Sequence, residues 1–139
     1  MVVLAAACGG AASHGPPGDR VTHPSSVSSS PEAVVLGWSD ALNHGLNEDA
    51  AGYFASETTV VAEDGRVRIL RGRDEAIAFN ASIACQGRII GLSRRHDRVW
   101  AAFILDQRGT FACAAPGALD TASFTVQGDR IVRFEDLPD

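Results

Sequence analysis

The stretch from Gly72 to Gly87, GRDEAIAFNASIACQG, constrains the fold more than any other, because it reads as a helix closed at both ends. Gly72 and Arg73 break a preceding strand. Asp74 and Glu75 put negative charge on the first turn, where unpaired N–H groups and the helix dipole favour it. Gly87 is expected to supply the left-handed residue that stops the helix. Ala76, Phe79, Asn80 and Ile83 fall at i, i+3, i+4 and i+7 and share one face, apolar except for Asn80. Such a stripe needs a partner surface, and the chain after Gly87 reads as β-sheet able to provide one.

The 139 residues fit one domain, with 45% apolar content in the ordinary globular range. The net charge is −5, and all 12 basic residues are arginine. No run of basic residues is interleaved with aromatics, so nucleic acid is not an expected partner. Arg66, Arg68, Arg71 and Arg73 read instead as a solvated sheet face. No stretch approaches the ~20 apolar residues of a membrane span.

Residues 1–8, MVVLAAAC, run into Gly9-Gly10 and then into a segment of Ala, Gly, Pro, Ser and His up to Ser30. The start resembles the end of a bacterial lipoprotein signal, with Cys8 as the acylated residue. It departs from that pattern in having Ala5 three before the cysteine, no basic region and a short apolar run, so a longer signal is expected upstream. The competing reading is a disordered tail with a chance cysteine. Residues 9–30 are expected to be a flexible linker, since only Asp19 and Arg20 are charged and no apolar periodicity appears. On this reading the protein is exported, with a lipid anchor as its only membrane attachment.

From Pro31 to the C-terminus the periodicity alternates between helix and strand. Ser29-Ser30-Pro31-Glu32 predicts a helix start, Glu32 answering Ser29 in a capping box. The helix should run to about His44, with Val34, Val35, Trp38, Ala41 and Leu42 on its apolar face. Asn47 is expected to cap a second, shorter helix. Thr58 to Arg71 predicts a hairpin about Asp64-Gly65. After the central helix, Arg88–Leu92, Arg98–Gln107, Thr110–Ala114, Asp120–Gln127 and Arg130–Asp136 read as strands. Val99 to Leu105 is apolar on both faces and is expected to be central and covered on both sides. The result is an α+β pattern of three helices in the N-terminal half against an antiparallel meander, not a parallel βαβ one.

Residues 31–139 resemble the nuclear transport factor 2-like, or SnoaL-like, superfamily of cone-shaped domains. The resemblance rests on four pieces in order: WSDALN (38–43) followed by EDA (48–50), YFA (53–55), GRDEAI (72–77) and GDRIVR (128–133). It implies a curved antiparallel sheet packed on the three helices around an apolar pocket. Function stays open, because this fold hosts enzymes, ligand binders and non-catalytic partners.

Compared with the ketosteroid isomerases of that fold, the oxyanion-donor positions align with Trp38 and Ala122, so both donors are missing. Glu63 or Asp64 lies near the base position but also suits a hairpin turn. An Asp-Arg-Asp relay like that of limonene epoxide hydrolases would have to draw on Asp106, Asp120 and Asp136 with Arg98 or Arg133, all near strand ends where solvated carboxylates are the default. No catalytic residue is therefore assigned. Trp38, Tyr53, Phe54, Phe79, Trp100, Phe103 and Phe124 supply core area, some of it able to line a pocket, with Asn80 either a ligand contact or a satisfied core amide. In an exported domain Cys85 and Cys113 read as a disulfide between the central helix and the sheet, the alternative being two buried thiols. The absence of a CxxC or Cys/His cluster argues against a metal site, and no cofactor is implied. The expectation is a non-catalytic envelope domain that binds a small apolar ligand or an envelope protein, with room for a homodimer. The alternative is a SnoaL-like isomerase, cyclase or epoxide hydrolase.

Overall fold

The computed structural model describes residues 29–138, and both the acylation expected at Cys8 and residues 9–28 of the linker expected over 9–30 lie outside them. The element order is α1 (Pro31–Asn43), α2 (Asn47–Ala51), β1 (Phe54–Val61), β2 (Val67–Arg71), α3 (Gly72–Ser82), β3 (Cys85–Arg95), β4 (Arg98–Gln107), β5 (Leu119–Gln127) and β6 (Arg130–Leu137). The three helices cover one face of a six-stranded sheet ordered β2-β1-β6-β5-β4-β3. This is the α+β arrangement that the alternating periodicity predicts.

Four of the five ladders are antiparallel, as the hairpin and meander patterns require. The fifth joins the two halves: β1 runs parallel to β6, with Thr59 opposite Arg133 and Val61 opposite Glu135. Hairpin signals reach only sequence neighbours, so they carry no information about this seam.

Helix α1 begins one residue later than the capping-box reading places its cap. Ser30 is the N-cap, its hydroxyl accepting from the Ala33 N–H at 3.2 Å, and Glu32 instead meets Arg94 at 2.8 Å. Leu46, not Asn47, occupies the N-cap of α2. Helix α3 stops at Ser82, short of Gly87, because Ile83 is already extended at φ −74° and ψ 113°. Cys85 therefore opens β3 instead of closing the helix, and Gly87 lies inside that strand without a positive φ. Thr110–Ala114 is not a strand but part of the loop from β4 to β5.

Strand β4 lies one place in from the β3 edge and is not central. Val99, Ala101 and Phe103 on its inner face are buried, whereas Trp100, Ala102 and Ile104 on the outer face are half-buried. The expected double cover is thus complete on the helix side only. The core joins α1 and α3 to the inner sheet face, with Phe124 and Ile131 fully buried at its centre. Trp38 projects into it, 5.2 Å from the Phe124 ring, 5.8 Å from Phe134 and 6.3 Å from Phe54. Aromatic pairs at such spacing add about 0.5–1.5 kcal/mol each beyond the area they bury.

Candidate functional site

Where the inner sheet face runs out beyond α1 and α3, the core opens into a pocket of about 240 Å³. Helix α1 contributes Trp38, Ser39 and Leu42, α3 contributes Phe79, and Ile83 follows just after its end. The end of β1 adds Val60 and Val61, with Ala62 just beyond it, while β3 and β4 add Cys85, Gly87, Phe103 and Leu105. From β5 and β6 come Asp120, Ala122, Phe134 and Asp136.

The two carboxylates follow from strand alternation. Residues two apart share a face, so Asp120 projects with Ala122 and Phe124, and Asp136 with Phe134. Asp136 sits directly opposite Ala122, and Asp120 opposite Phe103. That register makes the two aspartates diagonal neighbours across β5 and β6, a relationship that sets Cα atoms about 7–8 Å apart. Both are half-buried and both line the pocket.

Of the aromatic candidates, Trp38, Phe79 and Phe103 line this pocket. Phe54 and Phe124 belong to the packed core behind it. Tyr53 lines a shallow groove on the far side of α1, beside Gly37 and Arg130. Trp100 lies on the outer sheet face, stacked under the Arg98 guanidinium at 4.8 Å. Asn80 is fully buried and its Oδ1 accepts from the Trp38 indole N–H at 2.9 Å. That bond ties Asn80 to the core and occupies the only side-chain donor that Trp38 has. Its Nδ2 has no hydrogen-bond partner.

The residues considered for an Asp-Arg-Asp relay do not assemble. Asp120 and Asp136 face inward, but Arg98 and Arg133 both pair with Glu135 at 3.4 Å, one position out of phase on β6 and hence on the outer face. Asp106 lines a separate open groove between α1 and the β3–β4 edge. Asp64 caps the hairpin turn, its carboxylate accepting from the Arg66 backbone N–H at 3.1 Å and from Arg66 Nε at 2.6 Å. Those contacts, the backbone one first, hold its carboxyl below the usual aspartate value.

Two supports of the pocket wall were not visible in the sequence. Asn43 clamps the Gly87 peptide, donating from Nδ2 to the carbonyl at 2.9 Å and accepting from the N–H at 3.1 Å. Arg108, almost fully buried, donates to Leu42 O at 3.1 Å, Asn80 O at 2.7 Å and Ile83 O at 2.8 Å, and also to the Asn47 side chain. Burial lowers its pKa from the ordinary arginine value. The carbonyls at the C-terminal ends of α1 and α3, negative ends of their helix dipoles, compensate the guanidinium. Beside it, Cys85 and Cys113 form a disulfide with Cα atoms 4.8 Å apart, so the expected pairing is present in the structure. Among the described residues no group of His, Cys, Asp and Glu is placed to hold a metal ion.

A curved sheet wrapped on three helices around a pocket at its open end defines a class of small α+β domains. This chain has the fold of the nuclear transport factor 2-like superfamily. It is similar to a nuclear transport factor 2-like protein of unknown function from Cytophaga hutchinsonii (13% identity, 79% of this chain and 90% of that one, TM-score 0.63). It is similar also to a candidate ketosteroid isomerase from Kribbella flavida (16% identity, 78% of each chain, TM-score 0.64). A third is a candidate polyketide cyclase from Xanthomonas campestris (17% identity, 78% of this chain and 90% of that one, TM-score 0.60). No protein-family model and no curated protein matches the sequence. Likeness at these identities establishes the fold and leaves the activity to the site.

Proposed function

We propose that the protein binds a compact, largely apolar small molecule in the pocket between α1, α3 and the inner sheet face. The observation that carries this reading is the pocket itself: about 240 Å³, walled by Trp38, Phe79, Phe103, Phe134 and aliphatic side chains, with polar groups confined to a few positions. Concave, mostly apolar cavities with a few placed polar groups are the usual form of small-molecule sites. In this proposal residues 31–139 are the binding domain, residues 9–30 a tether, and Cys8 an acylated anchor holding the domain at the outside of a bacterial membrane. Incorporation of radiolabelled palmitate that is lost in Cys8→Ala tests the anchor independently of the pocket.

The binding test uses Trp38 as reporter. With Trp100→Phe leaving a single tryptophan, compact apolar probes such as 1-adamantanol should change the emission saturably. Ala62→Phe, which adds a ring to the lining of the pocket, should abolish that change. A flat titration across a panel of such probes overturns the reading.

The second reading is catalysis, favoured by the inward Asp120 and Asp136. Two carboxylates in an apolar pocket are a candidate acid–base pair for proton transfer on a bound molecule. Against it stand Trp38, whose N–H is held by Asn80, and Ala122 at the late-strand donor position. Turnover of an enolisable ketone or an epoxide that disappears in Asp120→Asn or Asp136→Asn would establish this second reading.

A further inference from the structure

We infer that the loop joining β4 to β5 is a membrane-contact surface, which enters the interface of a phospholipid bilayer with Phe111 and Leu119 as its leading side chains. The inference is separate from the pocket. The last of its grounds uses the anchor proposed above at Cys8.

The first ground is the chemistry of the loop. Residues 109–119, GTFACAAPGAL, contain no charged and no amide side chain, and Thr110 carries their single hydroxyl. All of them except Cys113 and Ala118 are exposed. Phe111 is 52% exposed and Leu119 56%, and Phe111 is the only exposed aromatic among the described residues. Elsewhere an exposed apolar side chain has charge beside it, as Val67 and Ile69 have Arg66, Arg68 and Arg71. An exposed apolar run marks a surface that meets either another protein or a lipid phase.

The second ground decides between those two. An ordinary protein interface takes about 800 Å² from each partner and fixes its register through polar contacts. Two large side chains separated by Ala, Gly and Pro supply neither. A bilayer interface asks only for apolar area.

The third ground is the way the loop is held. Gly109 and Gly117, both with positive φ, bracket it, and Cys113 is the only buried residue between them. The bond from Cys113 to Cys85 fixes the middle of the loop to the domain while Phe111 stays outside. The main chain is tied at several points: the Phe111 N–H donates to Arg108 O at 3.1 Å, Ala118 N–H to Ala115 O at 3.1 Å and Gly117 N–H to Leu105 O at 2.7 Å. The Gln107 side chain donates to Phe111 O. Unpaired backbone groups are expensive near hydrocarbon, so a loop with these bonds already made approaches it at lower cost.

The fourth ground is reach. Helix α1 begins beside the end of β3, where Glu32 meets Arg94, and ends beside the loop, where Leu42 O accepts from Arg108. The tether therefore joins the domain one helix length from the loop, about 20 Å for a helix of this size. As a coil, residues 9–29 would span about 25 Å. The loop can thus touch the same bilayer that holds Cys8.

The experiment floats the full chain carrying Cys8→Ser, so that no acyl group contributes, with vesicles of phosphatidylcholine alone. The protein is expected to float with them, and the Phe111→Ser, Leu119→Thr double variant, checked for folding by circular dichroism, should lower the partition coefficient by roughly tenfold or more. Added salt should leave the partition unchanged, since no charge is involved. In a second measurement, an NBD fluorophore attached at Phe111→Cys in the same background should brighten and shift to the blue when vesicles are added. The same label at Val67→Cys should not respond. If the protein does not float, or the label at position 111 is silent, the inference falls whatever becomes of Cys8. Partition that survives the double variant, or that requires anionic lipid, also overturns it, because the contact then lies elsewhere or is electrostatic. Palmitate incorporation reads the anchor alone, so either result can fail while the other stands.

Discussion

The side-chain amide of Asn43, at the last turn of α1, makes both hydrogen bonds of a β-ladder to the backbone of Gly87 in β3. A helix is thereby docked to a strand by a contact that imitates strand pairing. Asn43→Ala leaves the Gly87 N–H without its partner and the Gly87 carbonyl with only the long contact from the Ser39 hydroxyl at 3.5 Å. The expected cost is about 1–3 kcal/mol, the penalty for orphaned, partly buried polar groups. Asn43→Asp, which can accept but not donate when ionised, should fall between. Urea denaturation of the three forms checks the order.

Gly87 is required for a second reason. A Cβ there would stand 2.7 Å from Cδ1 of Phe103, so Gly87→Ala must displace a ring that walls the pocket. Overpacking of this kind costs about 1–3 kcal/mol. The same variant should weaken any ligand that reads out on Trp38, and an unchanged denaturation midpoint would refute the steric argument.

Arg108 stabilises by closing the C-terminal ends of two helices at once. Arg108→Met removes the donor to Leu42 O, Asn80 O and Ile83 O, and the loss should be at least about 2 kcal/mol, roughly one charge-assisted hydrogen bond. Arg108→Lys keeps the charge, but a single ammonium cannot span the same fan of acceptors. It should recover only part of the stability in a thermal melt.

The disulfide spans 28 residues. In the chain-entropy model a loop of that length contributes about 3–4 kcal/mol. Denaturation with and without reductant should show that gap, and Cys113→Ser should match the reduced wild type. Equal midpoints would mean that the bond constrains little in the unfolded chain.

Asp64 gives a prediction about pH. Its folded-state carboxyl titrates below the unfolded value because of Arg66. The contribution to stability is therefore present above the unfolded pKa and fades as pH falls through the lower, folded one. In a carboxyl NMR titration Asp64 should lose its proton at a lower pH than an unperturbed aspartate, and Arg66→Ala should move it up.

What the residues disclosed in advance was mostly local. The apolar stripe of α1, the Asp64-Gly65 hairpin and the start of α3 each follow from short-range periodicity, and the structure contains them. The end of α3 did not follow, because Ile83 is drawn into extended geometry before Gly87 is reached. In the sequence Gly87 has the form of a helix stop, whereas in the structure it packs closely against Phe103. The site was harder still. Asp120 and Asp136 were visible as strand-end acids, and their shared parity with Ala122, Phe124 and Phe134 was the available sign that they point inward. Arg108 offered no sign, since its partners are carbonyl groups contributed by distant helix ends.

The parallel seam between β1 and β6 has a temporal side. Phe54 pairs with Ile131, and Val61 with Glu135, so the earliest strand waits for the last one before the sheet is whole. Until then the β1–β2 hairpin and the β3–β5 meander are separate pieces with raw edges, and the non-local closure is the slow step that such topology imposes. A chain leaving the ribosome therefore cannot close this sheet until residues 130–137 have been made.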